Sequence, residues 1–201
     1  KLKISDFKES VEFLNQLYDN VTSAIFLADE DAMIYNFNDA FKTLFYKPDD
    51  QILRHLCGNV MGCIFHITED KSCGHTTHCD ECLLRNSIIK SFTEKVPVYK
   101  QKLVREFVIQ DRNVIKYFIF TTKYILYHGR ALILVIFDDI TDMEEEKLEI
   151  ESLNKILRLK NSKLQTLLES QTEKMLVLMK EIKLKRKENS ALLKELHHRI
   201  G

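Results

Sequence analysis

Apolar positions change their spacing several times along the chain, and each change marks an element. Residues 1–20 place Phe7, Val11, Leu14 and Leu17 at helical intervals among charged neighbours, which predicts a short amphipathic helix. Ser23 to Ala28 is a small apolar run, Asp29-Glu30-Asp31 reads as a turn, and Ala32 to Tyr35 as a second strand. Asn38 is placed to cap a helix carrying Phe41, Leu44 and Phe45. Residues 47–81 are irregular, with Pro, Gly, His and most of the Cys, and predict a loop-rich insert. A helix follows over Glu81 to Glu94, with Leu84, Ile88 and Phe92 on one face. Three strands come next: Val96 to Gln110, then Val114 to Tyr127, rich in aromatic and β-branched residues, then the wholly apolar Ala131 to Phe137. His128-Gly129 supplies the hairpin turn between the last two. The pattern predicts an α+β domain with one layer of five-stranded antiparallel sheet and one of flanking helices.

Beyond Arg130 the punctuation stops. Both Pro and every Gly but Gly201 lie before that point, so the last part of the chain has no need to turn. Thr141 and Glu144 stand at capping-box positions, and Glu145 and Glu146 add negative charge to the first turn. A heptad then runs through Ile150, Leu157, Leu164, Gln171, Leu178, Lys185 and Leu192, with Asn154, Asn161, Leu168, Met175, Ile182, Asn189 and Leu196 on the second seam position. Such a helix far outruns one small domain and predicts a parallel, dimeric coiled coil. Its polar seam residues would fix register and keep the coil soft enough to switch.

The order of strands and helices up to residue 142 resembles a PAS domain. The marks that carry the resemblance are Ala24-Ile25-Phe26-Leu27-Ala28-Asp29, the helix start Asn38-Asp39-Ala40-Phe41, and the closing Asp139-Ile140-Thr141. The chain then divides into an N-terminal helix (1–20), a PAS-like sensor domain (21–142) with a cysteine-rich insert (57–82), a signalling coil (143–190), and a terminal segment (191–201). That segment, Leu192-Leu193-Lys194-Glu195-Leu196-His197-His198-Arg199-Ile200, is similar to the phosphoacceptor box of a histidine-kinase subfamily, in which the His directly before Arg carries the phosphate. The resemblance maps that role to His198. The family pattern continues with Lys-Asn-Asn where this chain reaches Gly201, so 191–201 reads as the start of a truncated phosphoacceptor domain.

The chemistry at that position agrees. His198 falls two residues past the seam residue Leu196, which turns its ring toward solvent, and imidazole is a competent nucleophile near neutral pH. Glu195, one turn back, could orient the ring, and Arg199 could steady phosphate oxygens. No Gly-rich phosphate loop with metal-binding acids is present, so ATP would enter only through a kinase domain outside this chain, and the fragment alone would be catalytically silent.

Composition narrows the partners. Charged residues make up 30% of the chain but cancel to zero net charge, which leaves no basic field to attract nucleic acid. The longest apolar run, Ala131 to Phe137, is far short of a membrane span. Five cysteines are the remaining anomaly, four of them between Cys63 and Cys82. An odd number at tight spacing suits reduced thiolates, and hence a cytoplasmic setting, better than a disulfide framework.

Cys79-Asp80-Glu81-Cys82 is a CxxC at an expected helix start, where the helix dipole favours thiolates. Four thiolates from Cys63, Cys73, Cys79 and Cys82 suit zinc or an iron–sulfur cluster, with unliganded thiols the plain alternative. Cys57 reads as simply buried, and His66, His75 and His78 are near enough in sequence to substitute as ligands, for haem among other groups. Gly62-Cys63, Cys73-Gly74, Cys79 to Cys82 and Leu84-Arg85 resemble a cysteine-rich PAS subset associated with iron–sulfur binding and redox sensing. Together these resemblances imply the input fragment of a two-component histidine kinase, a homodimer that senses redox state or a gas and serves a response regulator. The alternative is a metal- or redox-binding PAS dimerisation module of a non-kinase signalling protein.

Overall fold

The computed structural model describes residues 11–200, with the side chains of 195–197 and 200 outside the description. Two units are distinct, one ending at Glu144 and one beginning at Glu145. The first unit opens with α1 (Val11–Asn20), β1 (Ala24–Ala28) and β2 (Ile34–Phe37). Four helices follow: α2 (Asp39–Phe45), α3 (Asp49–Ile52), α4 (Cys57–Val60) and α5 (Ile64–Glu69). Helix α6 (Leu83–Glu94) then leads into β3 (Val98–Ile109), β4 (Arg112–Tyr127) and β5 (Arg130–Asp139). The five strands form one antiparallel sheet in the order β2-β1-β5-β4-β3. This is the α+β, PAS-like architecture that the chain order of elements predicted. The part of the N-terminal helix expected over residues 1–10 lies outside the described residues.

The sheet holds together because one of its faces is lined with rings. Phe26, Phe118 and Phe120 pack around Phe137, and Phe26 and Phe118 meet Phe41 and Phe45 of α2, with centroid separations of 5.1 Å for Phe26–Phe41 and 6.1 Å for Phe45–Phe118. Alternation along each strand puts these positions on one side, and burying each such ring contributes about 1.5–3 kcal/mol. Helix α6 covers the same face with Leu84 and Ile88. It is pinned by buried hydroxyls, Ser91 Oγ to Thr122 Oγ1 at 2.7 Å and Thr122 Oγ1 donating to Ser87 O at 3.2 Å.

Asn38 is the polar centre of the fold. Its side chain is fully buried, and Oδ1 accepts from the N–H groups of Ile25 (2.8 Å) and Phe41 (3.1 Å). Nδ2 donates to the carbonyls of Tyr18 (3.2 Å) and Ser23 (3.0 Å). The expected N-cap is therefore present, and the same amide also joins α1, β1 and α2.

Three expectations are corrected. The second strand begins at Ile34, not Ala32. The Asp29 carboxylate accepts from the N–H groups of Asp31 and Met33, and Ala32 takes a left-handed backbone (φ 65°), so the turn runs further than the sequence suggested. The insert is not simply loop: α3, α4 and α5 lie within it. Thr141 does not form a capping box with Glu144, because it already lies inside the helix. Its hydroxyl instead donates to Asp139 Oδ1 (2.5 Å) and accepts from Tyr117 N–H (3.1 Å), while Asp139 Oδ1 takes the Thr141 N–H at 3.0 Å.

The insert is fastened to the edge strand by backbone. Val108 N–H donates to Gly62 O at 2.7 Å, and Cys63 bridges to Phe107. Gly62 sits at φ +70°, and a Cβ there would lie 2.3 Å from Val108 O, so no side chain fits. Where β5 runs into the next helix, Lys116 Nζ pairs with Asp139 Oδ2 (2.8 Å) and Lys102 Nζ with Glu144 Oε2 (2.7 Å). Burial works against the Asp139 carboxylate, yet hydrogen bonds from Lys116 and Thr141 outweigh it and hold its pKa below the ordinary value.

Helix α7 (Thr141–Ile200) is continuous over 60 residues, roughly 90 Å at about 1.5 Å per residue. Its seam residues Ile150, Leu157, Leu164, Leu168, Met175, Leu178 and Ile182 are 55–63% exposed. Among the described residues no helix is long and apolar enough to cross a membrane.

Replacing Asn38 by Ala removes a helix cap and strands buried backbone groups of β1 and α1. We expect a loss of about 2–4 kcal/mol of unfolding free energy, from about 1 kcal/mol for the cap and about 1–3 kcal/mol for each unsatisfied buried group after relaxation. Urea denaturation of the two proteins measures it, and a loss under about 1 kcal/mol would contradict the central role of this amide.

Candidate functional site: a cysteine-lined pocket

The cysteines arrive from four places in the fold. Cys57 opens α4, Cys63 is the N-cap of α5, Cys73 and Cys79 lie on the connection to α6, and Cys82 is the N-cap of α6. All five line one pocket, whose opposite wall is the inner face of β3 at Leu103, Arg105 and Phe107. None of the five is in a disulfide.

Close packing places Cys73. A Cβ at Gly58 would lie 2.7 Å from Cys73 Sγ, so the absence of a side chain there makes room for the sulfur. The Cys57 thiol donates to Cys73, which raises the pKa of Cys57 and is the main reason that of Cys73 is held down to about 6. Burial opposes the shift at Cys73, while the Gly58 N–H and the Arg85 guanidinium support it. Cys57 is buried, as the sequence suggested, yet it also forms part of the pocket. Cys79 Sγ accepts from Gly74 N–H at 3.0 Å and meets the Thr76 hydroxyl at 3.0 Å. Gly74 adopts φ +96°, and a Cβ there would lie 2.9 Å from the Arg85 guanidinium, so this glycine lets the arginine reach over the loop. Arg85 Nη1 is anchored on Asp31 O at 2.9 Å.

The dipole argument for Cys82 is overturned. Helix α6 begins at Leu83 rather than Glu81, and burial, the largest influence on Cys82, raises its thiol pKa. Desolvation of an incipient thiolate wins over the helix end.

Rings and charges form the rim. His78 stacks on Phe65 with centroids 3.7 Å apart and planes 4° from parallel, and the Arg105 guanidinium lies 4.8 Å over the other ring partner, Phe65. Glu69 accepts from the Thr77 hydroxyl (2.7 Å) and N–H (3.0 Å), which hold its carboxyl down to about 2 with help from Lys71 and His78. His66 also lines the pocket, with Nδ1 donating to Lys71 O at 2.7 Å, whereas His75 is exposed and lies outside the lining. Among the described residues, no three His, Cys, Asp or Glu side chains converge closely enough to hold a metal ion. The pocket therefore gathers the four expected cysteine ligands without bringing them to a common point.

Sequence reasoning named Arg85 only as a mark of the cysteine-rich resemblance, and gave no role to Phe65 or Arg105. The signal for Arg105 was available in the alternation of β3, where an arginine falls between Leu103 and Phe107 on the buried side. At the other expected site, His198 and Arg199 are exposed on α7. The side chains of Glu195 and His197, and with them the expected contact of Glu195 with His198, lie outside the described residues.

No protein-family model matches the sequence. No curated protein matches it either. Several solved PAS domains are similar in structure. One is the PAS domain of nitrogen regulation protein NR(II) from Vibrio parahaemolyticus, 13% identical, covering 65% of this chain and 100% of that one, with a TM-score of 0.44. The PAS domain of an HTR-like protein from Haloarcula marismortui is 15% identical over 68% of this chain and 96% of that one, TM-score 0.47. A domain of a sensory box sensor histidine kinase/response regulator from Geobacter sulfurreducens is 13% identical over 66% of this chain and 99% of that one, TM-score 0.40.

Proposed function

We propose that this chain is the cytoplasmic sensory input part of a two-component histidine kinase, in which Cys63, Cys73, Cys79 and Cys82 hold an iron–sulfur cluster, or zinc in its place, and the state of that site biases His198 through α7. The observation that carries the reading is the pocket itself: four cysteines from three separate parts of the insert line one cavity in a PAS-like domain whose last strand runs into a 60-residue helix. The donor set fits such a group by type, being unpaired thiols with N–H and O–H groups directed at Cys79 Sγ. Among the described residues no three of these thiols converge, so holding such a group would require the insert to draw them together. When bound, a cluster would supply a redox-dependent change of charge.

The chain's own residues do the rest. Strand β3 carries Leu103, Arg105 and Phe107 toward the pocket and Lys102 toward Glu144 on the first turn of α7, so displacement of the insert acts on the base of that helix. Two copies pair along the exposed seam of α7, and the coil presents His198 to an ATP-binding half outside this chain. There an imidazole nitrogen forms the N–P bond as ADP leaves, and the phosphoryl group passes on to a response regulator.

Anaerobically prepared protein, analysed for iron, sulfide and zinc, should contain one or the other centre. Cys63→Ser, Cys73→Ser, Cys79→Ser and Cys82→Ser should each lower occupancy, with a smaller effect from Cys57→Ser. Finding neither iron nor zinc would end the cluster reading. Sedimentation should show a dimer that Leu164, Leu168 and Leu178 changed to Glu convert to monomer, since each buried seam leucine contributes about 1.5–3 kcal/mol; a monomer from the unaltered chain would rule out the coil. With a kinase half supplied, His198→Gln should abolish labelling by ATP while His197→Gln leaves it largely intact. The reverse result would move the phosphoacceptor by one residue.

A further inference from the structure

Two of the five cysteines are in contact with each other. Cys57 begins α4, its N–H held on Ala32 O at 2.9 Å, and its thiol donates to Cys73. Cys73 is fixed beside the same short helix by its own backbone, since its N–H donates to Asn59 Oδ1 at 2.7 Å. Gly58 leaves the space for it: a Cβ there would lie 2.7 Å from Cys73 Sγ and 3.0 Å from Cys73 Cβ. The Gly58 N–H and the Arg85 guanidinium are further donors to the Cys73 sulfur. The Cys79 sulfur turns elsewhere, to the Gly74 N–H and the Thr76 hydroxyl. Residues 57–59 thus carry one thiol and hold a second against it.

We propose that Cys57 and Cys73 form a site of reversible oxidation, which a small hydroperoxide converts to a disulfide. Cys73 is 8% exposed and Cys57 2%, so an oxidant meets Cys73 first. Met61, Leu84 and Leu103 share the pocket lining with the pair, and apolar walls of this kind favour a small uncharged oxidant over a bulky charged one. The Cys73 sulfur attacks one peroxide oxygen, the O–O bond breaks, and the other oxygen leaves with the thiol proton, as water from hydrogen peroxide. Cys73 is then a sulfenic acid. The Cys57 sulfur attacks Cys73 Sγ, the S–O bond breaks, and the hydroxyl leaves with the Cys57 proton as a second water. The two sulfurs give up the two electrons that the peroxide gains. Neither step involves a metal, and Cys57 lies outside the four cysteines of the cluster reading, so the thiol pair does not depend on that reading. Both use Cys73, so the disulfide and a group held by four thiolates exclude each other.

The test uses the full chain, reduced, freed of reductant and of any metal, checked for folding by circular dichroism, and treated with equimolar hydrogen peroxide. Free thiols should fall from five to three, and non-reducing peptide mapping should find Cys57 joined to Cys73. A dithiol reductant should restore all five. Cys57→Ser should form no disulfide and should instead accumulate a sulfenic acid at Cys73, which dimedone traps. A thiol count that stays at five, or a bond that joins Cys79 to Cys82 in place of this pair, would overturn the proposal. Should Cys57→Ser fail to fold, mapping of the unaltered chain decides the question alone. Metal analysis of the untreated protein judges the cluster reading separately. A chain without iron or zinc that forms the Cys57–Cys73 bond ends that reading and supports this one. A chain that contains metal, but whose metal-free form makes no such bond, overturns the thiol pair alone.

Discussion

The carbonyl of Val108 lies 2.3 Å from where a side chain at Gly62 would begin, and the pocket depends on that closeness. Because the two backbones touch, the Val108 N–H reaches Gly62 O and Cys63 pairs with Phe107. Phe107 in turn packs on Phe45 and Phe118, so the insert is registered against the aromatic core through a single strand. With Cys63 set in this way, the helix starts of α5 and α6 fall on the same side of β3, and the thiols between them share one cavity. A bulkier residue at 62 would push the insert off the edge strand and scatter the cysteines.

Much of this architecture was legible along the chain. The strands β3, β4 and β5 stand out because aromatic and β-branched residues such as Tyr117, Phe118 and Phe120 crowd them, and Asn38 announces α2 by its capping chemistry. The beginning of β2 was not legible, because Ala32 gives no sign that it will adopt a left-handed turn imposed by the Asp29 carboxylate and closed by Cys57 N–H on Ala32 O. Helices α3 and α4 have four residues each, too few for a period to show. At the site, the spacing of the cysteines suggested a shared ligand. Their convergence on one pocket could not be read, since it is fixed by contacts distant in sequence, such as Gly58 against Cys73 and Gly62 against Val108. The raised pKa of Cys82 escaped for the same reason, since burial comes from the tertiary fold and not from its own helix.

Buried polarity holds the two layers in register without charge. Asn38 uses both ends of its amide on backbone groups, and Thr122 shares its hydroxyl between Ser91 and Ser87. Among the described residues no buried side-chain polar atom is left without a partner. Such satisfied neutral contacts orient helices on a sheet at little desolvation cost. Among the described residues ionic contacts lie at the junction of the sheet with α7, at the rim of the pocket, and between Lys42 of α2 and Asp49 of α3, all on partly exposed side chains.

Strand β5 occupies the middle of the sheet, laddered to β1 along Ala24–Ala28 and to β4 along Phe118–Tyr127, and only Ile140 separates it from α7. Tension applied along β5 would have to shear both ladders at once, so the strand is mechanically stiff to sliding. Torsion at Ile140 is opposed by much less. It strains the Ile140 N–H bond to Tyr117 O, the hydrogen bonds of Thr141, the packing of the buried Ile140 side chain, and the partly exposed pairs Lys116–Asp139 and Lys102–Glu144, a class of ion pair worth about 0–1 kcal/mol each. The joint is thus compliant to twisting and rigid to traction, which suits it to pass on a turn rather than a pull.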